Sequence, residues 1–245
     1  MNIKRTVPLA INFMVTLIFL CFYASPAYSW PYFIWDQKVD SDDKVICLTF
    51  DDGPNDGATE RVLSVLGKHQ VKATFFVIGK NVKHNPEMTK RILGEGHAIG
   101  NHSYSDGHFL AFQSAKTVRQ NLIKTNEIIY QHTGYKPKYF RPPNGLMTSG
   151  IRRAADELDL IPVGVNVFVF DNIKRNSKKI ADEIIKQING GPLIVVLHDG
   201  FGTRKDPSRK VVAEALDIII PRVKEMGYEF ASLDACVEKK ESVNK

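Results

Sequence analysis

From Val45 onward the chain alternates short runs of β-branched and aromatic residues with segments whose apolar positions recur every three or four residues. The runs are VICLTF (45–50), ATFFVI (73–78), HAIGNH (97–102), KYFRP (138–142), IPVGVNVFVF (161–170), LIVVLH (193–198) and YEFASL (228–233), and each reads as a strand. Between them Val62, Leu63, Val65 and Leu66, or Leu122, Asn126, Ile129 and Tyr130 with a long polar face, mark helices. About seven strands interleaved with about six helices require parallel pairing, because each strand must return over the sheet through a helical crossover. A closed or distorted β/α barrel and an open doubly wound sheet both satisfy this pattern. Both bring reactive residues to the carboxyl ends of the strands.

The two ends of the chain break the alternation. Residues 1–29 begin with Lys4 and Arg5, run apolar from Val7 to Tyr23 and finish on ASPAYSW with small residues at Ala27 and Ser29. This is the layout of a secretory signal cut before Trp30, with Asn12 arguing against an uncleaved anchor of similar length. The expected location is therefore secreted or periplasmic, or membrane-anchored should the leader stay in place, with no stable membrane span after cleavage. Residues 30–42 read as a lead-in whose Trp30, Tyr32, Phe33 and Trp35 pack on the domain, residues 43–237 as one catalytic domain, and 238–245 as a polar tail.

Composition adds constraints. At 245 residues and 43% hydrophobic content the chain suits one globular domain. The leader carries two of the 33 basic residues and no acid, so 31 basic face 27 acidic residues in the remainder. That excess does not call for nucleic acid. Cys47 and Cys236 remain after the leader is removed; an oxidising compartment permits a bridge between them, and a buried free thiol at Cys47 fits equally.

The chemistry collects where the strands end. Asp51 and Asp52 close the first, His102 the third and Arg141 the fourth; Asp171 follows the fifth, and His198 with Asp199 ends the sixth. Any strand end borders polar loops, so one such group says little, but five together describe a built site. One Asp and one or two His with carboxylates nearby form a shell for Zn²⁺ or a similar divalent ion, whose charge would relieve the repulsion between adjacent carboxylates. One carboxylate can ligate while the other takes a proton from the attacking water, and His198, on another strand, can protonate a leaving group. Metal, base and acid together hydrolyse an amide or an ester.

TFDDGP (49–54), NHSYSD (101–106), RPPNG (141–145), VFVFDN (167–172) and VLHD (196–199) resemble, in order, the five motifs of the polysaccharide deacetylases, the NodB-homology domain of carbohydrate esterase family four. The resemblance covers about residues 43–235. It implies a distorted (β/α) barrel and metal-dependent removal of acetyl groups from N-acetylglucosamine units of a polysaccharide or oligosaccharide, by a hydrolase acting on non-peptide amide bonds, with Zn expected and Mn or Co possible in its place. By resemblance Asp51 is the general base and Asp52 and His102 are metal ligands. Arg141 holds Asp51, Asp171 orients His198 and raises its pKa, and His198 protonates the departing amine. A monomer acting on an N-acetylated glycan is expected. The alternatives are an O-acetyl esterase on a polymer such as xylan, or a catalytically silent glycan-binding member of the fold.

Three positions depart from the family pattern. The second metal histidine is replaced by Asp106, which can ligate, with His108 as an alternative ligand. Asn144 stands where an aromatic is usual, and Asn172 where a tryptophan usually packs beneath the acid, which would leave Asp171 less fixed. The basic residues Arg204, Lys205, Arg209 and Lys210 read as a solvated loop. His69, His84, His97 and His132 fall away from the motifs and are assigned no chemistry.

Overall fold

The computed structural model describes residues 43–105, 110–171, 176–200, 210–233 and 236. The leader, the lead-in with its aromatic cluster, and the polar tail lie outside these residues, as do Asp106, His108, Asn172, Arg204, Lys205 and Arg209. No helix among the described residues is long and apolar enough to cross a membrane.

Among the described residues there are eight strands: β1 (Val45–Gly53), β2 (Ala73–Val77), β3 (Ala98–Asn101), β4 (Tyr139–Phe140), β5 (Ile161–Pro162), β6 (Val167–Phe168), β7 (Leu193–His198) and β8 (Glu229–Phe230). The helices are α1 (Ala58–Lys68), α2 (Gly79–His84), α3 (Pro86–Gly94), α4 (Ala115–Thr133), α5 (Ser149–Asp156), α6 (Ser177–Gln187) and α7 (Lys210–Glu225). Every strand pairing is parallel, in the order β5-β4-β3-β2-β1-β7-β6, with β8 added to the start of β1 at Val45 and Ile46. The fold is a distorted (β/α) barrel, so of the two architectures open to the alternation pattern the doubly wound sheet is excluded.

The parity of β1 assigns the two faces of the sheet. Ile46, Leu48 and Phe50 point outward into the large apolar layer that includes Val62, Leu63 and Leu66 of α1 and Leu216, Ile219 and Ile220 of α7. Val45 and Cys47 point inward, to Phe76, Tyr139, Val163, Ile194 and Leu233. A third cluster, with Leu122 of α4 and Ile151 of α5, packs against Phe140. Of the α4 positions that signalled a helix, Leu122 and Ile129 are buried and Tyr130 is exposed, as an amphipathic face requires. The helix starts on Ser114, whose hydroxyl accepts from the Thr117 N–H, and stops at Gly134 in the left-handed region. Cys47 is bonded to Cys236 across a Cα–Cα distance of 6.7 Å, which settles the alternative between a bridge and a free thiol.

One run departs from its reading as a single strand. IPVGVNVFVF forms β5 and β6, the two edges of the sheet, joined by residues 163–166 across the seam between them. Side chains from elsewhere satisfy this link: Arg141 donates to the carbonyls of Val163 and Gly164, and the Asn166 side-chain oxygen accepts from the Ile194 N–H while its own N–H bonds the Ile194 carbonyl. The apolar pattern alone could not reveal such tertiary partners.

Candidate active site

The adjacent carboxylates are explained by a break in the register of β1. Pairing with β2 runs Asp51↔Phe76 and then Gly53↔Val77, so Asp52 is an extra residue, and its φ is 74°. In an unbroken strand Asp51 and Asp52 would point to opposite faces; the bulge re-aims Asp52. Both carboxylates consequently reach the same ring nitrogen, with His102 Nε2 lying 3.5 Å from Asp52 and 3.9 Å from Asp51. The unusual conformation is braced through the Asp52 carbonyl, which accepts from Asn81 Nδ2 at 2.8 Å and Asn55 Nδ2 at 3.2 Å.

His102 is set by β3 and by the strand beside it. Its N–H bonds the Val77 carbonyl and its Nδ1 lies 2.9 Å from the Arg141 carbonyl, so Nδ1 carries the hydrogen. In the neutral ring Nε2 is then the electron-pair donor, directed at the two carboxylates. The following residues are anchored as well: Gly79 N–H bonds the Ser103 carbonyl, Lys80 N–H the Tyr104 carbonyl, and Tyr104 N–H the Asn121 side chain.

Arg141 lies fully buried behind Asp51. It donates at 2.8 Å to both Asp51 Oδ1 and Thr49 Oγ1, and its planar group lies over the Phe76 ring. Burial works against its charge and lowers its pKa, while the Asp51 carboxylate pulls it back up. With Oδ1 so held, Asp51 Oδ2 is the oxygen that faces His102.

Asp51 and His198 are direct partners in the β1·β7 register, which sets their Cα atoms about 5 Å apart. Asp171 accepts from the His198 backbone N–H at 2.9 Å with one oxygen and bonds His198 Nδ1 at 2.8 Å with the other. Both Asp171 oxygens are thus engaged and its side chain is fully buried, so the looser Asp171 expected from Asn172 is not what the structure holds. Burial pulls the His198 pKa down, but the Asp171 charge and hydrogen bond, with the Asp52 and Asp51 charges, outweigh it and raise the value to about 9.

Asn144 adopts φ 58° in the turn after Arg141. Asn is among the residues that tolerate this conformation best. Asp199, named among the strand-end acids without a role, turns away from His198 to accept from Thr59 Oγ1 at 2.6 Å. Burial raises its pKa to about 7, with Thr59 opposing the shift and the Asp52 and Asp51 charges adding to it. Among the histidines given no chemistry, His97 accepts the Ala73 N–H and is lowered to about 4 chiefly by burial, and His69 pairs with Asp217.

The His102 electron pair and the Asp52 carboxylate, 3.5 Å apart, suit a divalent cation as two of its ligands, and the Arg141 guanidinium is committed to the far oxygen of Asp51. Among the described residues no three such groups converge to enclose an ion. Asp52 and His102 supply two, and the further ligands expected, Asp106 or His108, lie outside the described residues. Reading of the sequence missed Thr49, Asn55, Thr59 and Asn81. Asn81 and Asn55 each lie close behind a strand, where an amide reads as an ordinary turn former.

Comparison with known proteins places these motifs in company. Residues 38–163 match the family model described as polysaccharide deacetylase. The chain is 36% identical over 202 residues to the peptidoglycan-N-acetylglucosamine deacetylase PgdA of Listeria monocytogenes, covering 82% of this chain and 41% of that protein. A peptidoglycan-N-acetylglucosamine deacetylase of Bacillus cereus is 35% identical over 211 residues, 84% of this chain and 74% of the relative. The chain thus spans less than half the length of the Listeria relative. Among solved structures, the Bc1960 peptidoglycan N-acetylglucosamine deacetylase aligns with a TM-score of 0.73 at 33% identity, over 79% of this chain and 88% of the other. A family 4 acetyl xylan esterase from Clostridium thermocellum, in complex with a cobalt ion, aligns at 0.70 and 38% identity, over 78% and 89%. A CE4 family pseudoenzyme from Bacillus anthracis aligns at 0.71 and 29% identity, over 79% and 65%.

Proposed function

The chain belongs to the polysaccharide deacetylase family, and from that premise we propose that it removes acetyl groups from N-acetylglucosamine units of a cell-wall or related glycan outside the cytoplasm. The observation that carries the reading is the pairing of two differently prepared groups on neighbouring strands: Asp51, held by Arg141, and His198, held by Asp171, level with each other in the β1·β7 register. A base and an acid on opposite sides of one reacting carbon are what amide hydrolysis needs.

Asp52 and His102, with Asp106 or His108 as further ligands, would hold a divalent cation, Zn, Mn or Co, which when bound polarises the acetyl carbonyl and the attacking water. Asp51 takes the proton from that water through Oδ2, the oxygen turned toward His102. Arg141 orients Asp51 through Oδ1. His198, protonated because Asp171 offsets its burial, gives its proton to the leaving amine. The amine and acetate then depart separately.

The test strips the protein of metal and measures acetate release from N-acetylglucosamine oligomers with Zn²⁺, Mn²⁺ or Co²⁺ added back singly. Release should require an ion and fall by about 10²-fold or more in Asp51→Asn, the loss expected of a missing base. Acetate from O-acetylated xylan alone would reassign the activity to an esterase. No release from either polymer, with the glycan still bound, would make the chain a silent member like the Bacillus anthracis neighbour.

A further inference from the structure

Most of the large apolar side chains of the sheet are covered, but Phe168 and Phe170 are 40% and 56% exposed. Their rings meet edge to face, with centroids 4.8 Å apart and planes at 81°. Val167 and Val169 are buried in the helix-covered layer, so Phe168 on β6 belongs to the inner face, and Phe170, just past the strand, sets its ring against that of Phe168.

The register identifies what else occupies that face. Phe168 pairs with Val196, and Val196 shares its side of β7 with His198; Thr49 and Asp51 oppose Val196 and His198 on β1. Phe168, with the Phe170 ring against it, therefore stands on the same face as the base and the acid, one strand beyond His198 and within about 7 Å of its level along the strands. Phe170 directly precedes Asp171, the residue that holds His198.

The backbone of Phe168 is held from the side. Phe168 N–H donates to Gln187 Oε1, and Gln187 Nε2 donates to the Phe168 carbonyl. Gln187 thus occupies the outer edge of β6, which removes the hydrogen bonds an incoming strand would use. What the edge offers is two ring faces in mutual contact rather than a ladder.

We propose that Phe168 and Phe170 form a stacking subsite for a sugar ring of the glycan, next to the unit being deacetylated. A β-linked hexosamine with equatorial substituents presents flat C–H faces that pack on an aromatic ring. The inference rests on the proposed glycan deacetylase activity and adds to it a preference for longer chains. Rings already packed on each other, one of them on a held backbone, lose little freedom on stacking, so the contact contributes to binding of the extended substrate.

The experiment compares wild type with Phe168→Ala/Phe170→Ala and Phe168→Tyr/Phe170→Tyr, each metal-loaded, on N-acetylglucosamine dimer and pentamer. The alanine pair should raise KM for the pentamer by roughly tenfold, the loss of about one aromatic contact, with a smaller effect on kcat. The pentamer-over-dimer preference in kcat/KM should collapse with it, and the tyrosine pair should keep that preference. An alanine pair that melts at lower temperature yet keeps the preference overturns the proposal, because the rings then pack only against the chain itself. Wild type that releases no acetate fails the deacetylase reading instead. Pentamer binding measured by calorimetry then decides the subsite: weaker binding by the alanine pair upholds it, and equal or absent binding by both proteins overturns it.

Discussion

Asn81 has no part in proton transfer, yet it holds the carbonyl of the residue in the most unusual conformation at the site. Asp52 at φ 74° is a carboxylate where glycine would be easier, and its aim depends on the Asn81 and Asn55 amides. Asn81→Ala should therefore weaken Co²⁺ or Zn²⁺ binding by about 10- to 100-fold, as loss of an outer support does, while leaving the melting temperature within a few degrees. Equilibrium dialysis beside a thermal melt checks both. His198 gives a second prediction at this scale. Its pKa of about 9 lies above the ordinary 6.5, so the folded state holds more protons than the unfolded one between those values. The contribution to stability is full below about pH 6.5 and is lost as pH rises through 9. Asp171→Asn should flatten that slope in metal-free protein followed by urea unfolding. It should also move the alkaline limb of kcat/KM to lower pH and cost about 10²-fold or more in rate.

At the level of elements, the site is a junction between the ends of β1 and β7, and two glycines make the approach possible. A Cβ on Gly200 would strike the Asp52 carbonyl and the Asn55 amide, and one on Gly53 would strike the Asp199 carboxylate. Because the Asp52 obstacle is backbone, Gly200→Ala should destabilise the protein by about 1–3 kcal/mol and depress activity. Gly67, exposed in α1 with nothing near its added methyl, is the control: Gly67→Ala should stabilise by about 0.5–1 kcal/mol. Denaturant midpoints separate the two. The same junction marks the limit of what the sequence discloses. Asp51, Asp52, His102, Arg141, Asp171 and His198 could be read because each ends a run whose apolar pattern is strong, and strand ends in parallel sheets share one rim. The bulge at Asp52 could not, because it is a register difference between β1 and β2 that neither strand carries alone. The division of IPVGVNVFVF into β5 and β6 stayed hidden for a related reason: the Arg141 and Asn166 side chains that satisfy the turn are remote from it or look like ordinary strand residues.

Across the whole molecule, β1 connects stability at one end to chemistry at the other. Its start pairs with β8 and carries Cys47, bonded to Cys236 over a sequence separation of 189 residues; its end carries Asp51 and Asp52. From Cys47 to Asp51 is four residues of strand, about 13 Å, with Thr49 and its bond to Arg141 between them. The bridge closes a loop that contains nearly all the described fold, so it removes much freedom from the unfolded chain. The Arg141–Asp51 and Asp171–His198 pairs are joined by their own hydrogen bonds at the other end of the strands. Cys236→Ser should accordingly lower unfolding free energy by about 2–5 kcal/mol in urea, and reductant should bring wild type toward the variant without moving the variant itself. Acetate release at 25 °C, where both proteins are folded, should change less than twofold, since the site is held by the strand register and by Arg141 rather than by the bridge. A large loss of turnover in folded Cys236→Ser would mean that the start of β1 controls the position of its end, and that the inner face of the barrel moves as one body.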